Sequence, residues 1–316
     1  MATIVDFIFI GTGNSGCIPN VACLTDPEQA CKACLSSMTE QGKKNRRGNV
    51  SAVIRFRQHS DPPGSRLRTV LIDCGKTFYE SAIQLFPKYG IRELDALVLT
   101  HGHMDAMGGL DDMRMLTNHG VQSKIDVYLA QDTMDVVERS FPFLVSAKFA
   151  TGGGDVATFK YHVVDNTKPF SIHDLVFDPL PVEHGKIMAT GQPYISLGFQ
   201  IDNITYISDT NRIPEHVFER IDTSESRILV LDCLRYGESH ASHYGLDEAL
   251  EATRRINAFK TYYVGFGHRM DHYELEAELE KLDIRVAPAF DGLRLNFEQS
   301  DALIESSPYT DTIVVS

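Results

Sequence analysis

ALVLTHGHMDAMGGLDDMR, residues 96–114, is the stretch whose reading decides both the fold and the chemistry of this chain. An apolar run with strand character, 96–99, leads straight into His101, His103 and Asp105. In an extended backbone residues i and i+2 project to the same side, so His101 and His103 can present both imidazoles to one cation with Asp105 beside them. Imidazoles with a carboxylate suit zinc, manganese or iron. Gly108 and Gly109 let the chain turn tightly into a short helix expected over 108–117.

The same arrangement, a metal-ligand residue type at the end of an apolar strand, recurs twice. DPLPVEHGK (178–186) carries His184 and ITYISDTNRIP (204–214) carries Asp209. Around these motifs, β-rich apolar runs recur at 4–10, 50–56, 69–72, 125–129, 175–177, 195–199, 204–207, 228–231 and 261–264. The segment HSDPPGS (59–65) has strong turn chemistry, so 50–72 is expected to be a hairpin. Leu246, Ala249, Leu250, Thr253 and Ile256 follow the helical period, as do Leu275, Leu279 and Leu282. No long Ser/Gly/Pro linker, low-complexity tract or internal repeat divides the chain, so a single domain over 1–316 is expected. Strands mixed with one-faced helices imply an α/β architecture of sheets covered by helices.

Hydrophobic residues make up 43% of the 316, ample for a large core. The formal charge of −13 works against a nucleic-acid partner, whereas a small anionic substrate is compatible with it once bound cations supply local positive charge. No apolar run reaches the ~18 residues of a membrane span. The opening MATIVDFIFIGTG lacks the pattern of a secretory signal, so a cytoplasmic protein without a membrane partner is expected. A homodimer is compatible with such a chain.

Six cysteines in this context do not resemble a secreted disulfide scaffold. Cys23, Cys31 and Cys34, within CLTDPEQACKAC, contain a CxxC that spacing alone leaves open between redox activity, zinc binding and plain surface cysteine. Cys17, Cys74 and Cys233 lie in or beside apolar runs and read as core. Lys43, Lys44, Arg46 and Arg47 read as a solvated basic loop ahead of the hairpin, in preference to a phosphate-binding edge.

Taken in order, GTGNSG (11–16), LIDCG (71–75), THGHMDAMGGL (100–110), PVEHGK (181–186), ISDT (207–210) and FDG (290–292) resemble the metallo-β-lactamase superfamily over nearly the whole chain. Within it the chain is similar to the phosphonate-pathway phosphodiesterases that open cyclic ribosyl phosphates, and more distantly to the tRNA 3′-end endonucleases. The resemblance implies an αββα sandwich with metals at one edge. It implies that His101, His103 and His184 hold a first cation, that Asp209 bridges to a second, and that Asp105 is a ligand of that second. It also implies Zn2+ or Mn2+ at a hydrolytic centre cleaving a small, cyclic or linear, phosphodiester through metal-activated hydroxide. Asp73 of LIDCG either orients a histidine or caps the turn at Gly75.

His243, in GESHASHYGLDEAL (237–250), matches the family's general acid. Just ahead of a helix it could instead serve as a neutral donor to phosphate, with His240 the neighbouring alternative. The three cysteines, with His268 at the second histidine of the family's THxxH, match a structural zinc site in a loop at 17–35. Eight residues separate Cys23 from Cys31, where the family pattern is tighter.

Two ligand histidines of the family are absent: Ala106 follows Asp105, and Gly265 stands in VGFGH. The expectation is that His272, sharing a helical face with His268, joins Asp105 and Asp209 in a weaker second site. The rival functions are a tRNA-processing nuclease, for which no basic Gly/Pro-rich arm is present, and a non-catalytic metal-binding protein. A thioester or lactam hydrolase is a further alternative, since fold does not fix substrate.

Overall fold

The computed structural model describes residues 2–118, 120–152, 156–221, 227–237, 239–297 and 303–315. The strands β1 (Ala2–Gly11), β2 (Ser51–Gln58), β3 (Arg68–Ile72), β4 (Ala96–Val98), β5 (Ile125–Ala130) and β6 (Phe159–Val164) belong to a first sheet. The next seven, β7 (Phe170–Ile172), β8 (Leu175–Lys186), β9 (Pro193–Ile201), β10 (Ile204–Ile207), β11 (Ile228–Asp232), β12 (Lys260–Val264) and β13 (Val286–Pro288), form a second. The chain then returns to the first sheet with β14 (Arg294–Asn296), β15 (Ile304–Ser307) and β16 (Thr310–Val315). Among the described residues the orders are β16-β15-β14-β1-β2-β3-β4-β5-β6 and β13-β12-β11-β10-β9-β8-β7.

The sheets face each other across one apolar layer, in which Phe7 meets Tyr206 and Phe9 meets Tyr262 with ring centroids 6.2 and 5.7 Å apart. The outer face of the first sheet packs on the helices Phe78–Tyr89 and Gln131–Ser140, and that of the second on Leu246–Ile256 and His272–Leu279. This is the expected αββα sandwich. Because both faces of each sheet are covered, the central strands are continuously apolar, as in IVDFIFI of β1. The 50–72 hairpin forms as expected, with Ala52 opposite Ile72 and Phe56 opposite Arg68. The expected helix over 108–117 is broken instead into Met104–Met107, a 3-10 turn Leu110–Met113 and Arg114–Thr117.

Gly109 serves close packing in place of the expected turn. Its φ is not positive, and a Cβ there would lie 2.6 Å from the Gly75 carbonyl oxygen. Gly75 has the same need, since its Cβ would lie 1.9 Å from the Asp105 carbonyl oxygen. The two loops that carry Asp73 and Asp105 can therefore lie against each other.

One carboxylate interrupts the apolar run of β1. Asp6 is fully buried, and Arg55 Nε and Nη2 donate to it at 2.8 and 2.5 Å while Arg294 Nε donates at 2.8 Å. Arg55→Ala leaves the buried Asp6 with Arg294 as its one guanidinium partner and Asp6 Oδ1 without its donor, so it is expected to lower stability by roughly 3 kcal/mol. Urea unfolding checks this, and a loss below ~1 kcal/mol, the range of an exposed pair, contradicts it.

The arrangement that positions the site is the run of parallel strands in each sheet, β3 to β6 and β10 to β13. Their carboxyl ends open at one edge of the sandwich, where ligands of open α/β sheets gather. Leu197 N of β9 donates to Thr100 O at 3.0 Å, joining the sheets there.

Candidate metal centre

β4 ends at Val98, and the loop that follows brings His101, His103 and Asp105 to this edge. The ligand nitrogens of His101, His103 and His184 lie within 4.8 Å of one another, as do ligand atoms of His184, Asp209 and His243. His184 projects from the end of β8, and Asp209 lies just beyond β10.

The tautomers follow from the hydrogen bonds. Thr100 N and Oγ1 each donate to Asp73 at 2.8 Å, so the Thr100 hydroxyl oxygen is left to accept from His101 Nδ1, also at 2.8 Å. His101 Nε2 then carries the lone pair, and it is buried without a partner. His184 Nδ1 donates to Ser242 O at 2.7 Å, which directs its Nε2 toward His103 Nδ1 at 3.2 Å. Burial holds His101 down at about 3 and lowers His103, so both imidazoles are neutral. A buried orphan lone pair among convergent neutral imidazoles fits a divalent cation. Asp73 thus orients His101 through Thr100, and it does so from a strained left-handed backbone, φ 58°.

Tyr194, at the start of β9, stacks on His103 with centroids 4.7 Å apart and planes at 15°. Its hydroxyl accepts from Gly102 N at 3.0 Å, fixing the loop between the two histidines.

His243 is buried, and its Nδ1 donates to Asp232 Oδ2 at 2.8 Å, with Asp209 Oδ1 3.8 Å away. Burial alone would push this imidazole down. The carboxylates of Asp232 and Asp209 outweigh it and hold it up at about 9. These carboxylates favour a charged donor over the neutral one that the neighbouring helix start suggested. Burial opposes ionisation of Asp209, yet His101, His184 and His243 around it keep its carboxyl below the usual range. Asp105 goes the other way, raised by burial and then by Asp209. His240 is exposed.

Asp232 is a site residue that the sequence reading passed over. It ends β11 as Asp209 follows β10, so the rule of a polar ligand type at an apolar strand end marks it in ILVLDCL.

His272 is not brought to Asp105 and Asp209. Arg47 Nη2 donates to its Nδ1 at 2.9 Å, and its Nε2 faces Glu276 at 3.7 Å. The shared helical face fails because the helix starts at His272, with Asp271 Oδ1 capping Tyr273 N and Glu274 N, so His268 lies outside it. Arg47 is likewise no part of a solvated loop. It is buried to 1% exposure, donates to Thr12 Oγ1 and Ala289 O, and lies 4.3 Å over the Phe266 ring, while Arg46 is exposed.

A second cluster gathers Cys23, Cys31, Cys34 and His268, their ligand atoms all within 4.8 Å. His268 Nδ1 lies 3.2 Å from Cys23 Sγ and 3.5 Å from Cys31 Sγ, and Asn20 N donates to Cys34 Sγ at 3.2 Å. Three sulfurs and one nitrogen at these separations fit a closed tetrahedral zinc site. The wide Cys23 to Cys31 spacing is taken up by a short helix, Val21–Leu24, and the loop after it. Burial pushes Cys34 up to about 12, and a cation is what would hold the thiolates.

Comparison with known proteins places this geometry. The β-lactamase superfamily domain matches residues 68–266, more than half of the chain. A crystal structure of a new diphosphatase from the PhnP family is similar with a TM-score of 0.73 and 27% identity, over 94% of this chain and 98% of that one. The short form of human tRNase Z superposes with a TM-score of 0.56 at 15% identity, covering 92% and 98%, a likeness of fold. An octanoyltransferase of Porphyromonas gingivalis is 27% identical over 299 residues, 94% of this chain and 53% of that protein. The chain thus spans about half the length of the curated relative it matches. Two covered sheets, a histidine cluster at their shared edge and a domain match over more than half of the residues make this chain a member of the β-lactamase superfamily, a hydrolase of the metallo-β-lactamase fold with a centre for divalent metal.

Proposed function

We propose that the chain hydrolyses a small phosphodiester, cyclic or linear, with Zn2+ or Mn2+ at the centre formed by His101, His103, His184 and Asp209. The observation that carries this reading is His243, held by Asp232 and gathered with His184 and Asp209 so that their ligand atoms lie within 4.8 Å of one another. The thiolate of a thioester leaves without help of this kind, whereas the alkoxide of a phosphodiester needs a proton. When bound, the cation supplies Lewis-acid polarisation and acidifies water. The protein's own residues do the rest. Asp232 fixes the His243 tautomer and stabilises its charge, and His243 hands its proton to the leaving oxygen.

A cleft of about 1130 Å³ opens beside His103 and His184, lined by Tyr194 and the apolar Ile187 and Met188, by the cations Arg139 and Lys186 and by the carboxylates Asp132 and Asp135. Its size suits a small molecule. The description of one structural relative as a diphosphatase also favours phosphoryl chemistry. The acidic chain, at −13, speaks against the tRNA-processing reading. The same cysteine and histidine cluster is proposed to hold a structural Zn2+.

The test is metal-loaded protein assayed against cyclic and linear phosphodiesters, diphosphates, a β-lactam and a thioester. Turnover of the last two without the first three would overturn the proposal. Asp232→Asn is expected to lower kcat by roughly 10²–10³-fold on an alkyl leaving group and much less on p-nitrophenolate, which leaves without a proton. Equal losses on both would remove proton donation from His243.

A further inference from the structure

The family resemblance implies two cations at the hydrolytic edge, with histidines at positions 106 and 265 among the ligands of the second. Ala106 is buried to 2% exposure and offers no side-chain donor atom. Gly265 is more telling than a missing side chain. Its φ is +81°, a conformation L side chains rarely adopt, and a Cβ built on it would lie 2.5 Å from Asp232 Oδ1. The space in which a histidine would begin is thus taken by another residue's carboxylate.

One oxygen of that carboxylate is committed elsewhere, while its Oδ1 is buried without a partner. Asp232 is fully buried, and its Oδ2 accepts from Thr210 N at 3.0 Å and from His243 Nδ1 at 2.8 Å. It cannot turn away to admit a side chain at position 265 without releasing both. What remains for a second cation is Asp105 together with Asp209. Among the described residues, no set of three histidine, cysteine or acidic ligand atoms lying within 4.8 Å of one another includes Asp105. The pocket that Asp105 and Asp209 share with Ala106, Asp73 and His101 is about 10 Å³, room for about one water. His272 does not supply the third ligand, since its Nδ1 already accepts from Arg47.

We propose that the hydrolytic centre of this chain holds a single divalent cation, on His101, His103, His184 and Asp209, and that the Asp232 and His243 pair stands in place of the second. Without a side chain at 265 there is room for the Asp232 carboxylate, and the His243 it holds lies 3.8 Å from Asp209, the carboxylate that otherwise bridges.

The experiment counts metal, not turnover. Full-length protein is saturated with Zn2+, desalted and measured by mass spectrometry, alongside Asp105→Asn. The expected count is two zinc ions per chain, one in the cysteine cluster and one at the hydrolytic edge, and Asp105→Asn retains both. Protein loaded with Mn2+ at that edge is expected to give the six-line resonance of an isolated ion. Three zinc ions per chain falling to two in Asp105→Asn, or a multiline spectrum of an exchange-coupled manganese pair, would overturn the inference. The count does not depend on the substrate. If one hydrolytic cation is bound and no phosphodiester is cleaved, the inference stands and the substrate reading falls.

Discussion

Asp209→Ala abolishes hydrolysis, lowering kcat/KM by at least ~10⁴-fold, equivalent to about 5.4 kcal/mol of transition-state stabilisation, and strips the hydrolytic cation while leaving the cysteine-bound one in place. The size of the effect follows from what surrounds this carboxylate. Asp209 is 7% exposed and lies among His101, His184 and His243. Alanine leaves three imidazoles converging on a space with no anion. The cation then loses an oxygen ligand, and His243 loses one of the two carboxylates that hold its proton. Metal analysis and turnover of a phosphodiester by the same sample check the prediction. Full activity in a metal-replete Asp209→Ala protein would take Asp209 out of the centre.

Cys34→Ala is expected to act on stability. Cys34 Sγ is fully buried in the helix Lys32–Ser36 and belongs to the only ligand set, among the described residues, that joins the region before β2 to the loop after β12. Closed zinc sites bind with apparent free energies on the order of 10 kcal/mol, and because the ligands come together only in the folded chain that energy is folding energy. Loss of even half of it, at about 2–4 °C per kcal/mol, lowers Tm by more than ~10 °C. One zinc per chain should be lost as well. The hydrolytic centre shares no ligand with this cluster, so activity measured well below the new Tm should change far less than stability does. A variant that keeps its Tm would show that the cysteines hold nothing structural.

Much of the site was legible because its chemistry is written at strand ends. His101, His103, His184 and Asp209 lie in or just beyond apolar runs that do form strands, although β4 ends at Val98, so a loop and not strand alternation brings His101 and His103 together and Asp105 falls in the helix Met104–Met107. The same rule covers Asp232. What drew no notice there was the cysteine that follows it, which reads as core and is buried, so the aspartate looked like the end of a core strand. Tyr194 and Thr100 were not legible at all, because their roles depend on the second sheet lying against the loop after β4.

His272 shows the opposite failure. A histidine four residues from another is a face-sharing pair only inside a helix, and the Asp271 cap begins the helix one residue too late. Among the elements, the helix Phe78–Tyr89 was not anticipated, since Pro87 falls in its last turn and breaks the pattern. The strands β13 to β15 are three or four residues each, too short for a periodicity to develop.

The cysteine cluster also has a history that a finished molecule conceals. Cys31 and His268 are 237 residues apart in the chain. At a synthesis rate of roughly 5–20 residues per second, the thiols leave the ribosome something like 10–50 s before their imidazole partner does. For that interval they are exposed sulfur nucleophiles with no fourth ligand, and chemistry competes for them: peroxide, a soft metal such as copper, or a neighbouring thiol that closes the CxxC into a disulfide. Whichever arrives first decides whether the last part of the chain can dock. The yield of this protein in a cell should therefore follow the zinc supply and the redox state at the moment of translation, even where the completed fold is indifferent to both.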